Sequence, residues 1–98
     1  MADDIRQTMP RAALITGGGR RIGRAIALAL SRAGYAVVLH AHTSRAEAER
    51  LAAEIAGAGG RASVVLADLA DPAAVRGLVP AARAFGPLTL LVNSAAEF

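Results

Sequence analysis

The sequence predicts an α/β fold in which helices cover a parallel sheet. Three observations support this: short apolar runs recur along the chain, helical periodicity separates them, and glycine or proline marks most junctions. Apolar runs without alternation are typical of strands buried on both faces. The predicted order is β-α-β-α-β-α-β, and short right-handed crossovers would make the sheet parallel and doubly wound.

The first strand is predicted over Arg11 to Thr16, after a polar segment from Met1 to Pro10 that is expected to be a flexible leader. A glycine-rich loop follows this strand. Apolar residues then recur at helical spacing from Ile22, which predicts a helix that ends at Gly34 in a left-handed cap. The stripe expected to face the sheet consists of Ile22, Ala25, Ile26, Ala29, Leu30 and Ala33.

The second strand is predicted over Tyr35 to His40, because this run is apolar and rich in β-branched residues. Ser44-Arg45-Ala46-Glu47 has the form of a capping box, which predicts the start of a second helix. That helix should end at the glycine-rich stretch from Gly57 to Gly60. Its expected core residues are Ala48, Leu51, Ala52 and Ile55.

The third strand is predicted over Arg61 to Ala67 and the fourth over Leu88 to Asn93. Between them, Asp71-Pro72 supplies a capping residue and a proline for the first turn of a third helix. Pro80 lies inside that helix, so a kink or an early end is expected there. The predicted buried face consists of Val75, Leu78, Val79 and Ala82.

Composition excludes several classes of protein. The 98 residues contain no cysteine, so disulfides and thiolate zinc sites are excluded. No apolar run approaches the roughly 20 residues that a membrane helix needs, and the first residues lack the apolar core of a secretory signal. We therefore expect a cytoplasmic protein that does not bind membranes.

Nucleic-acid binding is not expected, although the net charge is +3. All eleven basic residues are arginines, and they are scattered from Arg6 to Arg83 rather than clustered. Only three aromatic residues are present to stack on bases. A compositional bias toward arginine and alanine is the better explanation of the charge.

The stretch TGGGRRIG, from Thr16 to Gly23, joins the first strand to the first helix. Such a junction presents free backbone N–H groups and the positive end of a helix dipole, which together suit a phosphate. A P-loop would need a lysine, and the chain has none. The fingerprint GxGxxG also fails, because its third glycine is due at Ile22 and arrives at Gly23.

Three motifs in order resemble those of the short-chain dehydrogenase/reductase family. Thr16 to Gly23 resembles its TGxxxGxG loop, Asp68-Leu69 resembles its adenine-contacting aspartate segment, and LVNSAA from Leu91 to Ala96 resembles its LVNNAG stretch. The resemblance extends from Arg11 to Phe98. It implies the N-terminal half of a Rossmann-type domain and hydride transfer between NADP(H) and a small carbonyl or pterin-like substrate.

Two departures from the family pattern point to a subgroup. Arg21 replaces the middle glycine of the loop, and Ser94 replaces the second asparagine. The loop resembles TGAAKRLG of pteridine-reductase-like members, in which histidine and serine also follow the second strand, as they do from His40 to Ser44 here. That pattern places an aromatic residue at the substrate pocket, and Phe98 occupies this position, although Ala96 replaces a serine of the pattern.

The resemblance implies a set of cofactor-binding residues spread over four loops. Asn93 is expected to support the strand end beside the nicotinamide ribose. The implied residues are Gly17, Arg20, Arg21, Ile22, Gly23, His42, Thr43, Ser44, Asp68, Leu69, Asn93 and Ala95.

The end of the second strand favours NADP over NAD. An NAD-binding domain of this type normally presents a carboxylate there for the ribose 2′-hydroxyl, and that carboxylate would repel a 2′-phosphate. The stretch from His40 to Arg45 contains no acidic residue. Arg21 is the first candidate to bind the phosphate, with Thr43 and Ser44 as hydroxyl donors.

Each candidate residue also has a purely structural interpretation. Gly17 and Gly23 could serve turn geometry and helix packing, Ser44 could be a helix cap, and Asp68 could cap a turn. His42 could be an ordinary surface residue. Arg20 and Arg24 could be solvated charges at the start of a helix.

Two other functional classes remain open. A methyltransferase would share the sheet and glycine loop, but it normally carries an acidic residue after the second strand. A non-catalytic nucleotide-binding or regulatory fragment is the stronger rival. The family's Tyr-x-x-x-Lys pair has no counterpart here, since Tyr35 is the only tyrosine, so the chain alone is expected to be inactive. Family members are usually dimers or tetramers, and a homo-oligomer is expected of a full-length protein.

Overall fold

The computed structural model describes residues 11–17 and 21–93. They form four strands and three helices in the predicted alternating order. The strands are β1 (Ala12–Thr16), β2 (Ala36–Ala41), β3 (Ala62–Leu66) and β4 (Leu88–Asn93), and the helices are α1 (Arg21–Arg32), α2 (Arg45–Gly57) and α3 (Pro72–Arg83). Each predicted strand lies within one residue of an observed one at both ends. The expected leader over residues 1–10 lies outside the described residues.

The four strands form one parallel sheet in the order β3-β2-β1-β4. The chain passes outward from β1 through β2 to β3, and α3 then carries it to the other side of β1. This reversal creates a topological switch point between β1 and β4, where open α/β sheets bind ligands outside the carboxyl ends of their strands. The Rossmann-type arrangement predicted from the sequence is confirmed for this half of the fold.

Helices cover both faces of the sheet. On one face, Ile15 and Leu39 pack with the buried residues of α1 and α2. On the other face, Leu14 and Val38 pack with Leu78 and its neighbours in α3. Every residue of β1 and β2 is buried, which confirms the interpretation of their continuous apolar runs.

Strand β4 has a different burial pattern, because it lies at the edge of the described sheet. Its residues alternate between partly buried and exposed, and Leu91 is 61% exposed.

The buried stripe of α1 differs from the predicted one. Gly23 and Ala27 are the buried residues, and Ile26 and Leu30 pack beside them, whereas Ile22 is 71% exposed. The remaining predicted members, Ala25, Ala29 and Ala33, are also exposed. The prediction counted Ile22 for its hydrophobicity and omitted Gly23, but the buried positions of the helix hold two small residues, Gly23 and Ala27.

The two predicted N-caps behave differently. Asp71 has an extended backbone (φ −96°, ψ 110°), and its carboxylate accepts a hydrogen bond from the Ala73 N–H at 3.0 Å. Ser44 precedes α2 as predicted, but with ψ at 38° its side chain makes no capping hydrogen bond. The capping box is therefore wrong in its hydrogen bonding, although α2 begins where it predicted. The predicted core of α2 is confirmed, with Ala48, Leu51 and Ile55 buried and Ala52 packed against them.

Of the two outcomes expected at Pro80, a kink or an early end, the early end is wrong, because helix α3 continues to Arg83. The missing N–H of Pro80 removes only one hydrogen bond, while Leu78 and Ala82 hold the last turn against the sheet. The predicted stripe was half correct, because Val75 and Val79 are 40% and 37% exposed.

Two helices end in left-handed glycines, and the sequence predicted this conformation for Gly34. Gly34 has φ +99° after α1, and the Tyr35 N–H beyond it donates to the Leu30 carbonyl at 3.0 Å. Gly59 has φ +91° after α2, and the Gly60 N–H donates to the Ile55 carbonyl at 2.9 Å.

Candidate functional site

The carboxyl edge of the sheet collects most of the predicted site residues. Because all four strands are parallel, the segments that follow them emerge at the same edge. Gly17 follows β1, His42 to Ser44 follow β2, Asp68 and Leu69 come just after β3, and Asn93 is the last residue of β4. The structure therefore brings together residues up to 76 positions apart in sequence.

Gly17 begins the glycine loop in a left-handed conformation, with φ +67°. A residue with a Cβ atom would be strained there, which explains the glycine. Helix α1 begins four residues later at Arg21, which is exposed, and Gly23 in its first turn is buried. The loop thus leads to a helix N-terminus whose free N–H groups and dipole suit a phosphate.

Arg24 forms an ion pair with helix α2. Its Nη2 atom lies 2.9 and 3.1 Å from the two carboxylate oxygens of Glu54 on α2. Both side chains are about half exposed. This contact agrees with the interpretation of Arg24 as a surface charge, and it leaves Arg21 as the described arginine nearest the loop.

The residues after β2 expose polar groups at the same edge. His42 and Thr43 are exposed and Ser44 is partly buried. Ser44 precedes the first residue of α2, but its hydroxyl makes no hydrogen bond that caps this helix.

Asp68 has a structural role that the sequence left open. Its Oδ1 atom accepts a hydrogen bond from the Ala70 N–H at 2.9 Å, which closes a turn after β3. Its Oδ2 atom lies 3.9 Å from Nε2 of His42. Sequence spacing did not indicate this pairing, which places a carboxylate near the end of β2 although β2 itself supplies none.

Thr16 and Asn93 join the central strands at their carboxyl ends. They are register partners in β1 and β4, and Thr16 Oγ1 donates to Asn93 Oδ1 at 2.8 Å. Thr16 is only 7% exposed. The Asn93 side chain therefore links the end of β4 to the end of β1. Thr16 supplies the other half of this link, and the sequence did not single it out.

His40 is a second residue that the sequence analysis did not assign to the site. It is 2% exposed, and its ring contacts both Gly17 and Ala67. A polar residue within an otherwise apolar buried strand was the available signal, because buried polar groups need partners.

Three predicted site residues, Arg20, Ala95 and Phe98, lie outside the described residues. Within 11–17 and 21–93, no three histidine or acidic side chains are grouped so that they could hold a metal ion. Among these same residues, no helix has the length and apolar character needed to cross a bilayer.

Comparison with known proteins identifies relatives. A family model described as short chain dehydrogenase matches residues 11–97. NADPH-dependent aldehyde reductase 2, chloroplastic, of Arabidopsis thaliana is 44% identical over 98 residues, covering 88% of this chain and 36% of that protein. An uncharacterized oxidoreductase of Mycobacterium tuberculosis is 46% identical over 92 residues, covering 93% of this chain and 35% of that protein.

Solved structures are similar to this chain over most of its length. FolM alternative dihydrofolate reductase 1 from Brucella canis, complexed with NADP, superposes with a TM-score of 0.84 at 46% identity, covering 90% of this chain and 36% of that one. A blue fluorescent protein from a metagenomic library, in complex with NADPH, gives 0.85 at 38% identity, covering 92% of this chain and 38% of that one. The chain spans about a third of the length of these relatives.

Proposed function

Because this chain belongs to the short-chain dehydrogenase family, we propose that it forms the dinucleotide-binding part of an NADP(H)-dependent oxidoreductase. The bound nicotinamide would exchange a hydride with a carbonyl or pterin-like substrate. The observation that carries the proposal is the carboxyl edge of the sheet. There the left-handed Gly17 and the N-terminus of α1 follow β1, which borders the switch point, and the polar residues after β2 lie at the end of the neighbouring strand.

The donor groups at this edge fit a dinucleotide phosphate. Backbone N–H groups at the start of α1 suit the pyrophosphate, with Gly17 and Gly23 allowing close approach and Ile22 exposed beside them. Arg21, Thr43 and Ser44 offer a guanidinium and two hydroxyls to a 2′-phosphate, with His42 next to them. Arg20 belongs to this proposed set as well.

The other cofactor contacts are assigned by position. Asp68 and Leu69, after β3, would border the adenine ring, while Asn93 and Ala95, after β4, would border the nicotinamide ribose. The turn that Asp68 closes with Ala70 fixes the carboxylate in place, and its second oxygen remains directed toward His42.

NADP rather than NAD is supported by the relatives as well as by the residues. The reductase from Arabidopsis is named NADPH-dependent, and two similar structures contain NADP or NADPH. The pteridine-reductase-like assignment has narrower support in the alternative dihydrofolate reductase from Brucella canis. Phe98 would stack on a flat substrate ring in that case.

Catalysis is proposed to need residues that these 98 do not contain. The chain has no lysine, and Tyr35 lies just before β2, at the opposite edge of the sheet from the candidate site. Six residues of β2 separate the two edges by about 20 Å at roughly 3.3 Å per residue. Tyr35 therefore cannot act as the general acid in a Tyr-x-x-x-Lys arrangement here.

The second candidate function is a non-catalytic dinucleotide-binding or regulatory module. The same observation supports it, since binding a dinucleotide needs the loops at the carboxyl edge of the sheet and no acid–base pair. NADPH titration combined with an aldehyde reduction assay separates the two functions for any protein that carries this chain: binding with turnover supports the oxidoreductase, and binding without turnover supports the module.

The cofactor proposal is tested by measuring Kd for NADPH and NADH under the same conditions. We expect NADPH to bind at least about tenfold more tightly, which corresponds to one retained charge-assisted contact. Equal affinities would remove the 2′-phosphate site, and a folded chain with no affinity for either cofactor would contradict the whole proposal.

A further inference from the structure

His40 is the one titratable side chain among the buried residues described in β1 and β2. It lies in the sequence AVVLHA, whose other members are apolar, and it is 2% exposed. Strand alternation places it on the same face as Val38, which packs toward α3. Its register partners are Thr16 in β1 and Val65 in β3.

Both ring nitrogens of His40 have backbone partners. Nδ1 lies 3.2 Å from the Gly17 nitrogen, which donates its N–H, and Nε2 lies 2.8 Å from the Ala67 carbonyl oxygen. An N–H donor requires a lone pair on Nδ1, and a carbonyl acceptor requires a hydrogen on Nε2. The two contacts therefore select the tautomer that carries its hydrogen on Nε2.

Each of the two partners lies next to a different segment of the candidate site. Gly17 begins the glycine loop, and Ala67 immediately precedes Asp68. Ala67 is held a second time, because its N–H donates to the Ala41 carbonyl at 3.0 Å. The His40 ring on β2 is thus hydrogen-bonded both to the start of the glycine loop after β1 and to the residue that precedes the Asp68 turn after β3.

We propose that His40 is a positioning residue that fixes the glycine loop and the Asp68 turn relative to each other for dinucleotide binding, through its Nε2-protonated ring. This inference rests on the proposed cofactor function. His40 itself is buried, so it acts through Gly17 and Ala67 rather than by touching the cofactor.

Few other side chains can satisfy both partners. An apolar residue of similar size would leave the Gly17 N–H and the Ala67 carbonyl unpaired in a buried region. Asparagine can place an acceptor near the position of Nδ1 but is too short to reach Ala67. His40→Asn loses only one of the two hydrogen bonds, whereas His40→Leu loses both. The effect on NADPH affinity should therefore be larger in His40→Leu.

The test compares NADPH affinity of the full chain with that of His40→Leu, His40→Asn and a matched control, Val38→Ala. Val38 is buried on the same face of β2 but makes none of the bridging hydrogen bonds, so its truncation should lower Tm without moving the loops. We expect His40→Leu to weaken NADPH binding about tenfold or more, His40→Asn to fall between it and the wild type, and Val38→Ala to stay within about twofold.

A measurement on the wild type covers the case in which His40→Leu does not fold. ¹⁵N NMR at pH 8 should show a protonated Nε2 and an unprotonated Nδ1 for His40, and a ring with its hydrogen on Nδ1 would overturn the assignment. Unchanged NADPH affinity in folded His40→Leu would overturn the positioning role alone. A folded wild type that binds no NADPH would instead overturn the proposed function, and the positioning role with it.

Discussion

Thr16 donates a hydrogen bond to Asn93 across β1 and β4, with 2.8 Å between Oγ1 and Oδ1. This bond lies at the point where the strand order reverses, so it joins the two sides of the switch point. Because Oδ1 accepts from Thr16, the Nδ2 group of Asn93 retains its two hydrogens for other acceptors. The bond fixes which end of the amide is offered to the site.

A double-mutant cycle can measure this bond. Thr16→Val keeps the shape of the side chain and removes the donor, and Asn93→Ala removes the acceptor. We expect a coupling free energy of about 0.5–1.5 kcal/mol in urea unfolding of the single and double variants. Strictly additive effects would show that the contact does not stabilise the junction of β1 and β4.

The two helix caps give a prediction with an internal control. Asp71→Ala removes a carboxylate that accepts from the Ala73 N–H, so the free energy of unfolding should fall by about 1 kcal/mol. Ser44→Ala changes the same kind of position on α2 but removes no capping bond, so its cost should be a few tenths of a kcal/mol. Equal losses in urea unfolding would mean that Ser44 caps α2 in solution.

Gly60 and Gly77 offer a contrast in packing. A Cβ atom at Gly60 would lie 2.5 Å from Ser31 Oγ and 2.8 Å from Ile55 Cγ2, whereas one at Gly77 would meet nothing within 4 Å. Gly60→Ala should therefore destabilise the fold by about 1–3 kcal/mol through overpacking. Gly77→Ala, in the interior of α3, should stabilise it by about 1 kcal/mol through helix propensity.

Thermal and urea unfolding of both variants checks this contrast. A neutral Gly60→Ala would show that Ser31 and Ile55 shift without cost. A destabilising Gly77→Ala would contradict the open space beside α3.

Most of the fold could be predicted from the sequence because its main signals are local. Continuous apolar runs identified β1 and β2, and Asp71-Pro72 identified the start of α3. The buried face of α1 could not be predicted from hydrophobicity alone, because its buried residues are a glycine and an alanine, Gly23 and Ala27, while Ile22 is exposed. The early end at Pro80 did not occur, because tertiary packing of Leu78 and Ala82 outweighed a local preference.

The candidate site was only partly predictable. The loop motifs placed Gly17 and Asp68 at one edge of the sheet, but the links between loops depend on contacts between residues far apart in sequence. His40 meets Gly17 and Ala67 only once the strands are in register, and His42 approaches Asp68 only through the turn after β3. No spacing rule in the sequence encodes these distances.

The last prediction concerns Arg21 and the choice between NADP and NAD. Arg21 is exposed at the first position of α1, whereas Arg24, one turn later, is held by Glu54. An arginine can bind a phosphate through two charge-assisted hydrogen bonds, each contributing on the order of 1.5–3 kcal/mol, and NAD lacks the 2′-phosphate that would receive them. Arg21→Ala should therefore weaken NADPH binding about tenfold or more and leave NADH binding nearly unchanged, which lowers the ratio of the two affinities.

Arg24→Ala is the matched control, because it removes the same charge from the same helix but its partner is Glu54. The ratio of the two affinities should stay within about twofold of the wild type, while loss of the exposed ion pair lowers the free energy of unfolding by about 0–1 kcal/mol. Fluorescence titration of both variants with both cofactors decides the matter: a ratio that Arg21→Ala leaves intact, or that both variants lower equally, would assign the preference to general positive charge or to other residues rather than to Arg21.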